Sequence, residues 1–303
     1  MGVINTGTHP KLLWPGLQAI WGNMYKDQPE GHTSVFDMGT SDKAYEEDQE
    51  LSGFGLAPVK SEGGSISYDT TVNGYVTRYT NVTYGLGFIV TQEAVEDNQY
   101  KAQAEKRVRA LRRSMRHTKE TVAANVINRA FAGSGQVGGD GVALVANNHP
   151  TASGTQSNLL AVAADLSEAS LEDILIQIRL ATDARGLRIA LQGRKLIVAP
   201  QNEFNATRIL KSMLQNDTAN NAINALRASG MLPDGVLAWS FLTDPDAWFV
   251  KTDAPDGLKG LNRRPLALEK DGDFETGNFK HKATERYAFG WSDWRAVFGS
   301  PGA

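Results

Sequence analysis

Residues 91–131 read TQEAVEDNQYKAQAEKRVRALRRSMRHTKETVAANVINRAF. Within them Val108, Leu111, Met115, Thr118, Val122 and Val126 recur at spacings of three or four, the period that lines one face of an α-helix. The spacing predicts one helix across 91–131. Thr91 is its N-cap, Glu93, Glu96 and Asp97 place negative charge in its early turns, and Gly133 follows its last apolar residue as a stop. At 1.5 Å per residue such a helix would be about 60 Å long. That exceeds the width of a compact domain of half this chain, so the remaining elements have to be laid along a rod.

The rod is basic. Lys101, Lys106, Arg107, Arg109, Arg112, Arg113, Arg116 and Lys119 are opposed within 101–120 only by Glu105 and Glu120. With Val108, Leu111 and Met115 turned to the core, 100° per residue sends Arg109, Arg113 and Arg116 to the opposite side. Two readings stay open. One is a solvated face with ion pairs between subunits; the other is a surface that faces nucleic acid, with Arg109, Arg112, Arg113, Arg116 and Lys119 as its members. Neither reads bases, because no aromatic residues are interleaved to stack on them.

Upstream, residues 35–90 are rich in Gly, Thr, Tyr, Ser and Val, and alternate at Ile66–Asp69 and Tyr75–Tyr79. They read as β-strands broken by loops at Ser52–Gly55 and Lys60–Gly64. Tyr45–Glu50 carries four carboxylates, Glu46, Glu47, Asp48 and Glu50, and almost no apolar residue. A stretch that cannot bury both faces predicts a solvated hairpin projecting from the core. Residues 1–34 combine three prolines with Leu13, Leu17, Ile20 or Trp21, and Met24 at near-helical spacing, and read as an arm with one short helix, the alternative being a first core helix of the same domain. Trp14 and Trp21 would be a solubility liability if exposed, which predicts that they pack on the body or on a neighbouring subunit.

Downstream, a Gly, Asn, Ser and Thr rich loop (133–158) precedes a helix from near Ser170, with Asp173 in a capping-box-like position, that ends before Gly186. Arg194–Pro200 reads as a buried strand, Asn202–Leu214 as a helix and 216–224 as a polar loop. Val236–Leu242 and Ala247–Lys251 read as strands, and two more flank Asp271-Gly272-Asp273. The end, Glu285–Gly299, is strongly aromatic and is expected in the core. Strands and helices mix without a βαβ rhythm, so the fold class is α+β.

Composition narrows the chemistry. The 303 residues include no cysteine, which excludes disulfides, thiolate nucleophiles and cysteine-held metals. A net charge of −3 excludes a polycation that wraps nucleic acid as a whole. The longest apolar runs, such as Leu159–Ala164, fall far short of the roughly 20 residues of a membrane helix. Gly2 fits only a loose myristoylation pattern. Gly133-Ser134-Gly135-Gln136-Val137-Gly138 matches GxGxxG, but it follows a helix where a dinucleotide fingerprint follows a strand, so it reads as a flexible loop. The five histidines are scattered without ligand spacing. No catalytic residue, cofactor or metal is expected.

An arm, a projecting hairpin, a very long helix and then a mixed α/β region is the segment order of the Hong Kong 97 type capsid fold of tailed phages, shared with encapsulins. The phrases Lys60–Asp69 (KSEGGSISYD), Tyr84–Glu93 (YGLGFIVTQE), Val145–Pro150 (VANNHP), Lys195–Asn202 (KLIVAPQN) and Tyr287–Val297 (YAFGWSDWRAV) resemble the Mu-like major head subunits. The resemblance covers nearly the whole chain and implies a major capsid protein that closes into an icosahedral head around double-stranded DNA. It implies an arm (1–34), an extended loop reaching over a neighbour (35–85), and a peripheral domain (86–185) with the spine helix 91–131. An axial domain (186–260) and returning C-terminal strands (261–303) complete it. Trp14, Trp21, Glu46, Glu47, Asp48 and Glu50 become candidate intersubunit contacts. The implied partners are copies of the chain in pentamers and hexamers, a portal, a scaffolding protein separate from this chain, decoration proteins and packaged DNA, with no membrane. The other readings are an encapsulin-like compartment, a nucleotide-dependent enzyme using the 133–138 loop, and a monomeric DNA-binding module.

Overall fold

A computed structural model describes residues 3–4, 30–92, 100–133, 138–214 and 222–303, with backbone alone for 3–4 and 100–106. Most of the expected arm, with Trp14 and Trp21, lies outside the described residues, as do Glu93, Glu96 and Asp97 and most of the 133–138 and 216–224 loops. Elements run β1 (Val3–Ile4), β2 (Asp37–Thr40), β3 (Tyr45–Leu51), β4 (Asn73–Thr80), β5 (Val82–Val90) and α1 (Tyr100–Asn128). Next come β6 (His149–Thr151), β7 (Gly154–Gln156), α2 (Glu168–Arg179), β8 (Gly193–Val198), α3 (Glu203–Lys211) and α4 (Ala225–Ser229). The chain ends with β9 (Val236–Ala238), β10 (Trp248–Thr252), β11 (Leu258–Gly272), β12 (Phe279–Trp291) and β13 (Val297–Ser300).

The periodic stretch is a helix over at least 29 residues, about 44 Å of rod. Its front half packs on a five-stranded sheet of order β1-β5-β12-β11-β2. Val108, Leu111 and Met115 meet Val90 and Ala283, with Tyr84, Phe88 and Leu268 at the margin. The expected stripe is therefore the buried one, although Thr118 and Val122 are only half-buried. Period-2 alternation on β12 sends His281, Ala283, Glu285 and Tyr287 to the buried side. The rear of α1, through Ala123, Ala124 and Ile127, joins a second and larger core together with Ala130 in the turn that follows it. That core is built on a four-stranded sheet of order β13-β10-β8-β9 and on α2, which contributes Leu171, Ile174, Leu175 and Ile178.

Several boundaries differ from the sequence reading. The N-cap of α2 is Ser167, and the capping box closes through Ser170, so Ser170 stands inside the helix and Asp173 is not its box partner. Ile66–Asp69 alternates like a strand but forms none, because both of its faces are exposed and it has no ladder to join. Elsewhere the strands of 35–90, the β11–β12 pair around Asp271-Gly272-Asp273 and the buried aromatic end (Tyr287, Trp291, Trp294, Phe298) are as expected.

Candidate assembly surfaces

Among the described residues the hairpin of β3 and β4 holds the longest unbroken exposed stretch. The antiparallel ladder runs from Tyr45↔Thr80 to Leu51↔Asn73, and every residue from 53 to 76 is exposed. The tip has an apolar character: Leu51, Phe54, Leu56, Val59, Ile66, Tyr68 and Val72 are 51 to 99% exposed. Few monomeric proteins leave so many large apolar side chains in one segment uncovered.

The acidic strand at the base behaves differently from the solvated strand expected. Glu46, Asp48 and Glu50 alternate onto the half-buried side of β3, and all four carboxylates have partners in their own chain. Glu46 accepts from Ser41 Oγ at 2.9 Å and lies near Lys43, and Glu47 pairs with Arg78 at 2.6 Å. Asp48 takes Lys259 Nζ and Ser292 Oγ, both at 2.6 Å, and Ser292 Oγ lies 2.5 Å from the buried Tyr79 hydroxyl. Glu50 faces Arg295 at 3.9 Å. Burial raises its carboxyl above the ordinary range, Arg295 pulls it back, and Asp293 and Asp140 push it further up. These groups border a cleft of about 430 Å³ where the hairpin meets the body. As intersubunit contacts the four acids are thus already engaged within one subunit.

The basic rod also divides. Arg109 and Arg113 are exposed, as expected. Arg116 is half-buried at 17% exposure, with Glu120 3.9 Å away. Arg112 and Lys119 do not belong to the outer face: they are 2% and 6% exposed. The helix geometry explains this, since Arg112 is four residues from Val108 and Lys119 four from Met115, which puts both on the apolar stripe. Lys119 donates to Glu285 at 2.5 Å and to Asn262 at 3.1 Å, and sits 5.2 Å from the Tyr287 ring centroid. Glu120 faces His32 at 2.9 Å and accepts from Trp239 Nε1 at 3.0 Å. Burial alone would raise Glu120, but the His32 hydrogen bond and charge, Trp239 and Arg116 outweigh it and hold the carboxyl below its ordinary range.

A buried polar knot, unforeseen from the sequence, ties the 138–158 loop to the C-terminus. Asn158 donates to the carbonyls of Leu144, Trp294 and Val297 and accepts from Ala146 N–H. His149, wholly buried, places one ring nitrogen 2.6 Å from Asp140 and the other 3.1 Å from Asn158 Oδ1. Its ring stacks on Trp294 at 4.3 Å, and the Arg295 guanidinium lies 4.2 Å from that indole's centroid. Among the described residues no group of three or more His, Asp or Glu side chains could hold a metal ion, and no helix is long and apolar enough to cross a membrane.

Chains of similar architecture build particles. The structure is similar to one from Microbacterium phage Oxtober96, with 9% identity, 91% of this chain and 92% of that one covered, and a TM-score of 0.58. It is similar to the capsid of a native GTA particle, with 12% identity, 91% of each chain covered and a TM-score of 0.57. Mycobacterium phage Adephagia gives 11% identity, 91% of each chain and 0.56. At these identities the likeness establishes the fold, a phage capsid fold of mixed α and β structure. No curated protein matches the chain. The sequence profile of the phage capsid protein family matches residues 74–299, from β4 to the last strand. The chain belongs to the phage capsid protein family, whose members are structural components of the virion.

Proposed function

We propose that this chain is the major head subunit of a tailed phage or prophage, of the Mu-like type, forming pentamers and hexamers that close around double-stranded DNA. The observation that carries the reading is the hairpin: seven large apolar side chains are left half or more exposed by the described residues of their own subunit. A repeated heterologous contact, the hairpin of each copy on the next, generates rings. Residues 1–34 act as the arm, 35–85 as the extended loop, 86–185 as the peripheral domain, 186–260 as the axial domain and 261–303 as returning strands. Binding energy between copies replaces catalysis. Arg109 and Arg113 face the packaged DNA and neutralise its backbone without reading sequence. A portal, a separate scaffolding protein and decoration proteins complete the head, which assembles in the cytoplasm of the bacterial host.

Shortening the hairpin by replacing residues 53–72 with a two-residue turn tests this. The expected variant is a folded, soluble subunit that no longer forms large particles in light scattering. Particles of normal yield and size from that variant would overturn the reading.

A further inference from the structure

The hairpin is a lever, and a lever needs its angle set. Its ladder stops at Leu51↔Asn73, and beyond it the two limbs run without regular structure. At its base Asp48 is fixed by Lys259 and Ser292. Farther out, Arg185 meets it: one guanidinium nitrogen donates to Asp69 Oδ2 and the other to the Thr70 carbonyl.

Both sides of this contact are pre-organised. On the hairpin, Asp69 Oδ1 accepts from Thr70 N–H and Oδ2 from Gly55 N–H, both at 2.8 Å, so one carboxylate joins the two limbs of the loop. On the body, Arg185 sits in a braced turn. Asp183 Oδ1 accepts from the N–H groups of Arg185 and Leu187, both at 2.8 Å, and Gly186 supplies the positive φ of 85° that the turn requires. Gln156 donates to the Asp183 carbonyl at 2.8 Å, and Ser153 N–H to the Ala184 carbonyl at 2.9 Å. An exposed ion pair is usually weak because two long side chains must be ordered to make it. Here the turn holds the arginine's backbone and the aspartate is held by two backbone amides, and the planar fork makes two contacts where an ammonium would make one.

We infer that Arg185 is the positioning residue that fixes the direction in which the hairpin leaves the body, and so selects the neighbouring surface its apolar tip reaches. The second clause rests on the shell-forming reading; the first does not. Two fixed points, Asp48 at the base and Asp69 farther out, define that direction.

The test compares wild-type protein with Arg185→Ala, Arg185→Lys and Asp69→Ala. In free subunits, Arg185→Ala and Asp69→Ala should be cut within residues 53–72 roughly three to ten times faster by a nonspecific protease, with thermal midpoints near wild type. Arg185→Lys should fall between. When assembled, the two alanine variants should give fewer or irregular shells. Wild-type cleavage rates in both alanine variants, or loosened hairpins that still give shells of normal yield and size, would overturn the inference. If Arg185→Ala fails to fold, Asp69→Ala carries the test, because Asp69 lies on the exposed loop outside either core. If wild-type protein forms no shells while the cleavage rates shift as expected, the latch stands and the shell-forming reading fails.

Discussion

Lys119 on the long helix and Glu285 on β12 lie 2.5 Å apart with side chains 8% and 2% exposed, forming a buried ion pair between the helix and the sheet it packs on. Removing one partner leaves the other charged and dry. Lys119→Met should therefore destabilise the free subunit by about 3–5 kcal/mol, whereas Lys119→Met with Glu285→Leu should recover most of that loss. Denaturant unfolding of the two variants reads the difference. A single variant as stable as wild type would mean that water reaches this layer.

Trp294 is held between the His149 ring and the Arg295 guanidinium and is 7% exposed. Trp294→Ala should cost about 3–5 kcal/mol, a large part of the roughly 5–15 kcal/mol that holds a typical domain folded. Most of the variant should be lost from the soluble fraction, and deletion of 285–303 should abolish folding. Soluble, folded protein from the truncation would show that β12 and β13 are dispensable.

His281 gives the subunit an acid-side sensitivity. Burial first, and then Lys270, push its imidazole down to about 4 from an ordinary 6.5. Between those values the unfolded chain binds a proton that the folded chain refuses. The stability is fully present above pH 6.5 and is lost as pH falls toward 4, by roughly 3 kcal/mol across the window. His281→Gln should flatten this part of the pH profile in urea unfolding. An unchanged slope would place the loss in other groups.

The helix was legible because Val108, Leu111 and Met115 carry a local period that needs no tertiary information. The same period placed Arg112 and Lys119 on the buried stripe; their charge suggested the surface, and Glu285 and Asn262, 166 and 143 residues away, make a buried lysine there tolerable. The hairpin was legible as a segment too poor in apolar residues to bury both faces. The half-burial of one face of its acidic strand was not legible, because Lys259, Ser292 and Arg295, which engage it, come from the far end of the chain. Asn158 and Arg185 gave no signal, since a single Asn or Arg in a polar loop has no pattern until the fold brings its partners in.

Arg109 and Arg113 remain outward on α1 once Arg112 and Lys119 are buried. Replacing both with Gln should leave shell assembly intact and lower the DNA retained in filled heads, with wild-type retention falling as salt rises. Failed assembly with normal DNA content in the few heads formed would place these arginines at subunit contacts.

On the proposed function, this chain closes into shells through its own hairpin. The test is cryo-electron microscopy of the protein, expressed alone and together with a phage scaffolding protein. Closed particles of pentamers and hexamers are expected, in which Leu56, Val59 and Tyr68 of each copy are covered by the next. Protein that stays monomeric under both conditions, or shells in which the hairpin projects into solvent touching no neighbour, would contradict it.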